Sequence, residues 1–534
     1  MTVKSRVSQE ASRVCIRIVP GQLPNIVDQA EQALIESNLG LYQRGSFIVR
    51  SGMVQLSKSG GKEVTIQRIL EVGEHALLEA MTVAADWERY DARKRKCTAI
   101  DAPMGVARAY LQRIGRWKLP VLAGIIDAPT LRPDGSILSS PGYDQETGLL
   151  LVTDGTAFPS VPDQPTKVEA IAALRVLSTL VANFPFVDAA SQAVALSAIL
   201  TACIRSSLPA APMHAFSAPT AGSGKSKLVD IASVIATGRE AGVISQGRTE
   251  EELEKRLGAL LLASDRVIAI DNCEAPLGGE FLCCALTQSV VRARILGRSE
   301  APELPSDAFI TATGNNLILA GDLARRAVLC RLDPKEERPE LRRFHSDPVA
   351  IVKADRGRYL VAALTVLRAF HVAKRPVRPD PLGSYEVWSD WVRGALIWLG
   401  EDDPVATMEG VRKSDPKLDA LTAVLEQWDW VGYGPVSVRD VIDVATKQVS
   451  PSTMYARPEF LYPDLREASL AVAGEGGAIN SKRLGKWLAG NQDRIVQGRR
   501  LIRAGVSGGI ARWRMEEFVD ESVHQGNPAD DVEW

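Results

Sequence analysis

The chain has 534 residues, too many for one core at roughly 150 residues per domain, so three or four domains are expected. Hydrophobic residues make up 46% and charged residues 24%, and Lys+Arg 63 against Asp+Glu 65 leaves a formal net charge of −2. That balance excludes a histone-like or polybasic protein but not a nucleic-acid partner, which needs only a local basic face.

In chain order, Asn25 to Ser37 reads as a helix with Ile26, Ala30, Ala33 and Leu34 at helical spacing. Two short strands are expected over Ser46–Arg50 and Met53–Ser57, joined by a Ser-Gly turn. Helical patterns return over Glu74–Ala84 and Met104–Ile114. From Leu122 to Thr153, short apolar runs are broken by PDG, PGYD and TG, the texture of a small β-rich segment. Lys167–Ala182 and Ala190–Ile204 read as helices. Strand and helix patterns then alternate from 213 to 333, which argues a parallel α/β sheet. Residues 350–400 read mostly helical, including Tyr385–Trp398, and 416–515 looks like a separate small α+β unit.

Seven cysteines, with no C-x-x-C pair, point to a reduced compartment rather than a disulfide framework. The first residues lack the apolar core of a secretion signal, and the longest apolar stretch, Ala193 to Ile204, is short of a membrane span. A soluble cytoplasmic protein with no membrane partner is expected.

The most specific signal is APTAGSGKSKLVDIASVI, residues 218–235. A strand, MHAFSA, runs into Thr220, Ala221, Gly222, Ser223, Gly224, Lys225 and Ser226, and a helix follows at once. A polyphosphate needs backbone N–H groups curled around it and a helix N-terminus aimed at it. Lys225 would reach the β- and γ-phosphates of ATP, and the Ser226 hydroxyl would ligate Mg²⁺. Pro219 stands where the first glycine of the phosphate-loop pattern is usual.

An acid at the end of a neighbouring strand is needed to organise the metal. The run RVIAI, Arg266–Ile270, ends in Asp271, Asn272, Cys273 and Glu274. Asp271 fits the metal-organising acid; Asn272 stands where the catalytic Glu usually follows, and Glu274 is the nearest carboxylate able to orient water. The helix before this strand opens on Thr249-Glu-Glu-Glu252, a capping-box pattern. A further strand, Ala308–Thr313, ends in Gly314, Asn315 and Asn316, either of whose amides could position water. Arg325 and Arg326 follow, before a strand over Ala327–Leu332.

APTAGSGKS, VIAIDNCE, TATGNN and GDLARR in this order resemble the superfamily-three branch of AAA+ ATPases, specifically the helicase part of phage and plasmid primase–helicases. The resemblance extends more weakly through YQRGSFIVR, APTLRPDGSIL, PGYDQETG and INSKRLGKWL. It implies an AAA+ P-loop ATPase core that forms a homo-hexameric ring on single-stranded DNA, with ATP held between subunits. Arg325 or Arg326 would then act across the subunit boundary, and Asn315 or Asn316 would be the sensor. The family also places a basic hairpin between the metal strand and the sensor strand; here that interval carries Arg292, Arg294 and Arg298.

Toward the C-terminus, a helix from Asn480 and strands over Arg494–Arg503 and Ala511–Phe518 resemble a winged helix. Between 480 and 514, nine Lys and Arg, among them Lys482, Arg483, Lys486, Arg499, Arg500 and Arg503, face one Asp, a net of +8 suited to duplex or origin DNA. Residues 515–534 carry seven acids and no Lys or Arg, an expected acidic disordered tail. Nothing in 1–180 suits a primase centre, so any primase would be a separate chain. The domain reading is 1–120 α+β, 121–185 β-rich connector, 186–350 ATPase core, 351–415 helical linker, 416–515 winged-helix-like and 516–534 tail. A AAA+ ATPase that remodels proteins or signals is the competing reading.

Overall fold

The computed structural model describes residues 13–57, 63–153, 156–293, 303–341, 346–412, 416–449 and 459–517. The chain divides into two compact units, Met1–Leu317 with Arg326–Met408, and Ile318–Arg325 with Glu409–Trp534.

In the first unit, Val14–Ile18 pairs in parallel with Ala85–Asp91, which pairs antiparallel with Lys96–Ile100. Helices Leu23–Glu36, Glu74–Ala84 and Met104–Leu111 share a core with this sheet through Leu34, Leu77, Met81, Trp87 and Tyr110. The first helix starts earlier than its apolar spacing predicts because Pro24 occupies its first turn, where a missing N–H costs nothing. The two strands expected at 46–50 and 53–57 are one, Phe47–Ser57. Ser51 and Gly52 sit opposite Ile69 and Arg68, so the ladder runs straight through the expected turn. The turn-rich stretch forms a sheet ordered Gly142–Tyr143, Leu149–Leu151, Gly124–Ile126, and a hairpin of Thr130–Leu131 with Ile137–Leu138.

Five parallel strands make the central sheet of this mixed α/β fold, in the order Gly242–Ser245, Val267–Asp271, Phe309–Asn315, Met213–Ala218, Ala327–Arg331. Every residue of Met213–Ala218 is buried, as expected of a parallel strand covered on both faces. His214 lies on it between Phe309 and Trp388, its Nε2 2.9 Å from Ser197 Oγ. Burial pushes the imidazole down to about 3, so it stays neutral in the core. Thr249 caps Glu250–Leu262 by accepting from Glu252 N, but the Glu252 carboxylate accepts from Arg248 N instead of closing the box.

The helix Ala189–Ile204 is capped by Asp188, which accepts from Ser191 N at 2.7 Å. With the turn that follows it spans Ala189–Ser207, 19 residues of mean hydropathy 1.3, long and apolar enough to cross a membrane. This corrects the expectation that no stretch reaches that length. Its apolarity is explained by packing: 78% of it is buried, against Lys225–Thr237 and Arg356–Val372 among others.

Arg205, at the end of that helix, is 3% exposed and donates to Ala308 O at 3.1 Å, Leu208 O at 2.7 Å and Ser306 O at 2.6 Å. It thereby holds the segment that feeds Phe309–Asn315. Arg205→Met is expected to orphan these carbonyls at a cost of about 3 kcal/mol, lowering the thermal midpoint of this large unit by about 4 °C. An unchanged midpoint in calorimetry would contradict this role.

The second unit contains helices Pro416–Glu426, Val438–Ala445, Pro463–Ala473 and Ser481–Gly490, and a hairpin of Arg499–Ser507 with Ile510–Glu517. Val436 bridges to Trp513, and Trp428, Leu465, Leu484, Leu488 and Leu501 close the core. The first hairpin strand starts later than expected because Val496 and Arg499 close a tight turn on each other, with Gln497 left-handed. The acidic tail also starts later than expected: Glu516 and Glu517 pair with Arg500 and Arg499 as part of the strand. The remainder, 518–534, lies outside the described residues, as does its expected disorder.

Candidate functional site

The turn 219–224 joins the central strand to the helix Lys225–Thr237. Gly222 and Gly224 have φ of 75° and 98°, a region closed to most side chains. A Cβ on Gly222 would come within 2.7 Å of Glu340 N, and one on Gly224 within 2.8 Å of the Phe184 ring. At these two positions the loop is therefore bare backbone by steric necessity. Ser223 Oγ donates to Thr220 O at 2.6 Å and holds its curl. Pro219 and Ala221 are exposed on the loop. Thr220 Oγ1 is buried and has no hydrogen-bond partner among the described residues, an orphan that a phosphate oxygen would satisfy.

Lys225 is 9% exposed, and its Nζ donates to Thr220 O at 3.0 Å and Asn315 Oδ1 at 2.8 Å. Burial drives its pKa down, and the charge of Asp271 draws it part of the way back. The sheet order explains the meeting with Asn315. Phe309–Asn315 lies directly beside Met213–Ala218, with Asn315 level with Ala218.

One strand further out, Asp271 Oδ1 accepts from Ser226 Oγ at 3.2 Å and from Thr313 Oγ1 at 2.5 Å. Thr313 Oγ1 in turn accepts from Asn272 N at 3.2 Å, so one hydroxyl fixes both the acid and the turn after it. Asn272 is left-handed at φ 52°, and its Nδ2 donates to Glu274 Oε1 at 3.1 Å. Asn272 and Glu274, alternatives in the sequence, are thus one hydrogen-bonded pair. Asn316 differs from Asn315: it is left-handed at φ 47°, and its N–H donates to Ala218 O at 2.9 Å. Of the two amides, Asn315 touches Lys225.

The Ser226 hydroxyl and Asp271 carboxylate are hard oxygen donors, a set that fits Mg²⁺. Among the described residues no group of three or more His, Cys, Asp and Glu could hold a metal alone, so a cation here would complete its shell with phosphate oxygens and water. The loop opens into a cavity of about 1130 Å³ walled by Leu180, Phe184, Pro339, Pro348, Ile351 and Tyr359, among others. Lys227 Nζ ties the helix to this wall through Asp347 at 3.2 Å. Sequence reading missed Thr313 and the whole cavity wall. The wall has no local motif, since its parts come from some forty residues before the loop and more than a hundred after it.

Arg326 belongs to the first unit and donates to Cys283 O at 3.4 Å. Arg325 ends the turn Gly321–Arg325 of the second unit and pairs with Asp322. Val290–Arg292 pairs antiparallel with Glu303–Pro305, in the chain interval between the strands Val267–Asp271 and Phe309–Asn315. Arg292 is not a bare cation: it pairs with Glu303 at 2.8 Å. Arg294 and Arg298 lie outside the described residues.

The basic C-terminal module is largely neutralised, which corrects the picture of nine cations facing one acid. Arg483 pairs with Glu475 at 3.3 Å, Arg499 with Glu517 at 3.0 Å, and Arg500 with Glu516 at 2.9 Å. Glu516 also takes Arg514, and Asp440 takes Arg512, at 2.8 and 3.0 Å. Among the described residues, exposed Lys482, Lys486 and Arg503 have no ion-pair partner. Asn480 caps the helix of Lys482 and Lys486, accepting from Lys482 N and Arg483 N, whereas Arg503 lies on the hairpin.

No protein-family model matches the sequence, and no curated protein matches it. Among solved structures, an A form apo structure of the NrS-1 C terminal region is 11% identical with a TM-score of 0.38, covering 91% of this chain and 98% of its own. A second NrS-1 C terminal region structure is 12% identical with a TM-score of 0.34, covering 82% and 98%. The X-ray structure of JCV helicase is 13% identical with a TM-score of 0.23, covering 47% and 66%. Likenesses at these scores carry no weight for fold or function. What this chain itself presents is a mixed α/β unit whose parallel sheet delivers a bare glycine loop, a lysine, an amide and a metal-suited carboxylate to one place.

Proposed function

We propose that the chain is an ATP-hydrolysing DNA helicase of the superfamily-three AAA+ type, a replication protein of a prophage, plasmid or other mobile element. The observation that carries this is Lys225 Nζ held between Thr220 O and Asn315 Oδ1, with Ser226 hydrogen-bonded to Asp271 beside it. Lys225 and the backbone of 220–225 would bind the phosphates, Asn315 would hold the attacking water, and Glu274, steadied by Asn272, would take its proton. Ser226 and Asp271 would hold Mg²⁺, which supplies charge neutralisation on the phosphates. The apolar walls of the cavity suit the base of ATP.

In this reading the protein works in the cytoplasm as a homo-hexameric ring on single-stranded DNA, with Arg325 or Arg326 reaching a neighbour's nucleotide. Helix Ser481–Gly490 and the following hairpin would act as a winged helix on duplex origin DNA, and a primase would be a separate partner. One observation favours a protein-remodelling AAA+ machine instead: Arg292, Arg483, Arg499, Arg500, Arg512 and Arg514 are all spent on acids within the chain.

The two readings part in one assay. Phosphate release from ATP, measured at low salt with and without single-stranded DNA, is expected to rise about tenfold on DNA for a helicase. Turnover indifferent to DNA would select the remodelling machine.

A further inference from the structure

The antiparallel pair Ala85–Asp91 and Lys96–Ile100 ends in a turn whose charge is unlike anything else in the N-terminal region. Its tip reads RYDARKRK, residues 89–96, five cations against one acid. Arg89, Arg93, Lys94, Arg95 and Lys96 are all exposed, in a chain whose total charge is −2. The one acid, Asp91, is committed to the turn, its Oδ1 accepting from Arg93 N at 2.9 Å and Lys94 N at 3.3 Å, and its Oδ2 makes a long, exposed ion pair with Lys94 Nζ at 4.0 Å, worth no more than about 1 kcal/mol. Beside the cations Tyr90 leaves 57% of its surface in water, although the same strand buries Trp87 to 2%.

Lys96–Ile100 is a sheet edge, and edges are commonly guarded by lysine. That purpose would place charge along the strand. Here Cys97, Thr98, Ala99 and Ile100 are uncharged, and the cations gather at and beyond the last paired residues. A cluster of this density pays a self-repulsion that an extended polyanion would relieve. An exposed aromatic ring among spaced cations is the surface that holds unstacked bases along a phosphate backbone.

We propose that this hairpin is a single-stranded DNA binding element separate from the ATP site, with Arg93, Lys94, Arg95 and Lys96 on phosphates and Tyr90 stacked on a base. Binding is measured on the full-length protein without nucleotide, so the result does not depend on whether the chain hydrolyses ATP. The probe is a labelled oligodeoxythymidylate, followed by fluorescence anisotropy across a salt series. The variant Arg93→Ser, Lys94→Ser, Arg95→Asn, Lys96→Ser keeps an asparagine where φ is 45°. It is expected to bind at least about tenfold more weakly at low salt, with the slope of log K against log salt reduced by about 3. Tyr90→Ala is expected to weaken binding about tenfold with the slope unchanged. Wild-type affinity and slope in the charge variant, at an unchanged unfolding midpoint, would overturn the proposal. So would Tyr90→Ala without effect on the single strand while the charge variant loses duplex equally, or loss confined to anionic phosphatidylserine vesicles.

Discussion

Lys225→Ala is expected to lower ATP turnover by at least about 10³-fold and to weaken ATP binding more than about tenfold, with no loss of fold. Among the described residues the ammonium hydrogen-bonds to Thr220 O and Asn315 Oδ1, both at the mouth of the loop, and no hydrophobic packing depends on its charge. Burial drives its pKa below the usual lysine range, so without an anion the protonated state is held at a cost. Removing that cost is expected to leave the unfolding midpoint at or above wild type, the signature of a group placed for binding rather than stability. Lys227→Ala is the control. Its exposed pair with Asp347 is worth no more than about 1 kcal/mol, and turnover is expected to stay within a few fold of wild type. Equal losses in the two variants, or a Lys225→Ala protein that turns over normally, would remove the lysine from the chemistry.

The second large effect belongs to Asp271. Asp271→Asn is expected to cut turnover by about 10² to 10³-fold while binding of ATP survives within several fold, because an amide ligates a cation more weakly but leaves the loop intact. The Ser226 and Thr313 hydroxyls both converge on Oδ1, so the carboxylate has a fixed orientation before any cation arrives. Thr313→Val keeps the shape and removes that anchor, with the Asn272 N–H losing its acceptor; a loss of about tenfold in turnover is expected. If Asp271 only ended its strand, Asp271→Asn would be silent in phosphate release and Thr313→Val would act on stability alone.

The parts of the site that depend on contiguous residues were legible in the chain. A phosphate loop needs glycines, a lysine and a helix start in immediate succession, and GSGKS provides them over five positions. Asp271 and Asn315 were readable as polar residues that end apolar strands, because a buried parallel strand announces its length. Which asparagine meets the lysine was settled by the backbone: Asn315 ends the ladder level with Ala218, whereas Asn316 turns left-handed. Thr313 reads from sequence as one more β-branched strand residue, and only the neighbouring strand makes it a hinge for Asp271. The cavity wall is tertiary throughout.

The misreadings have equally local causes. Ser51-Gly52 has turn composition, yet the flanking strand Glu63–Glu71 pairs across it, and a continuous ladder outweighs a dipeptide preference. Counting charge between 480 and 514 stopped short of Glu516 and Glu517, which the hairpin register places opposite Arg500 and Arg499. Linear charge counts miss pairs across a strand, and this one turned a module read as +8 into one whose open cations are few.

The proposed function requires 219–226, Asp271 and Asn315 to form one Mg²⁺-dependent nucleotide site. Calorimetric titration of the full-length protein with ATP, with Mg²⁺ and then with the metal chelated, tests it most directly. The expected result is one ATP per chain with Mg²⁺, binding at least about tenfold weaker without it, and no binding heat from Lys225→Ala under the same conditions. Binding heat from Lys225→Ala equal to that of the wild type, or no binding of ATP by the folded wild-type protein in Mg²⁺, would contradict it.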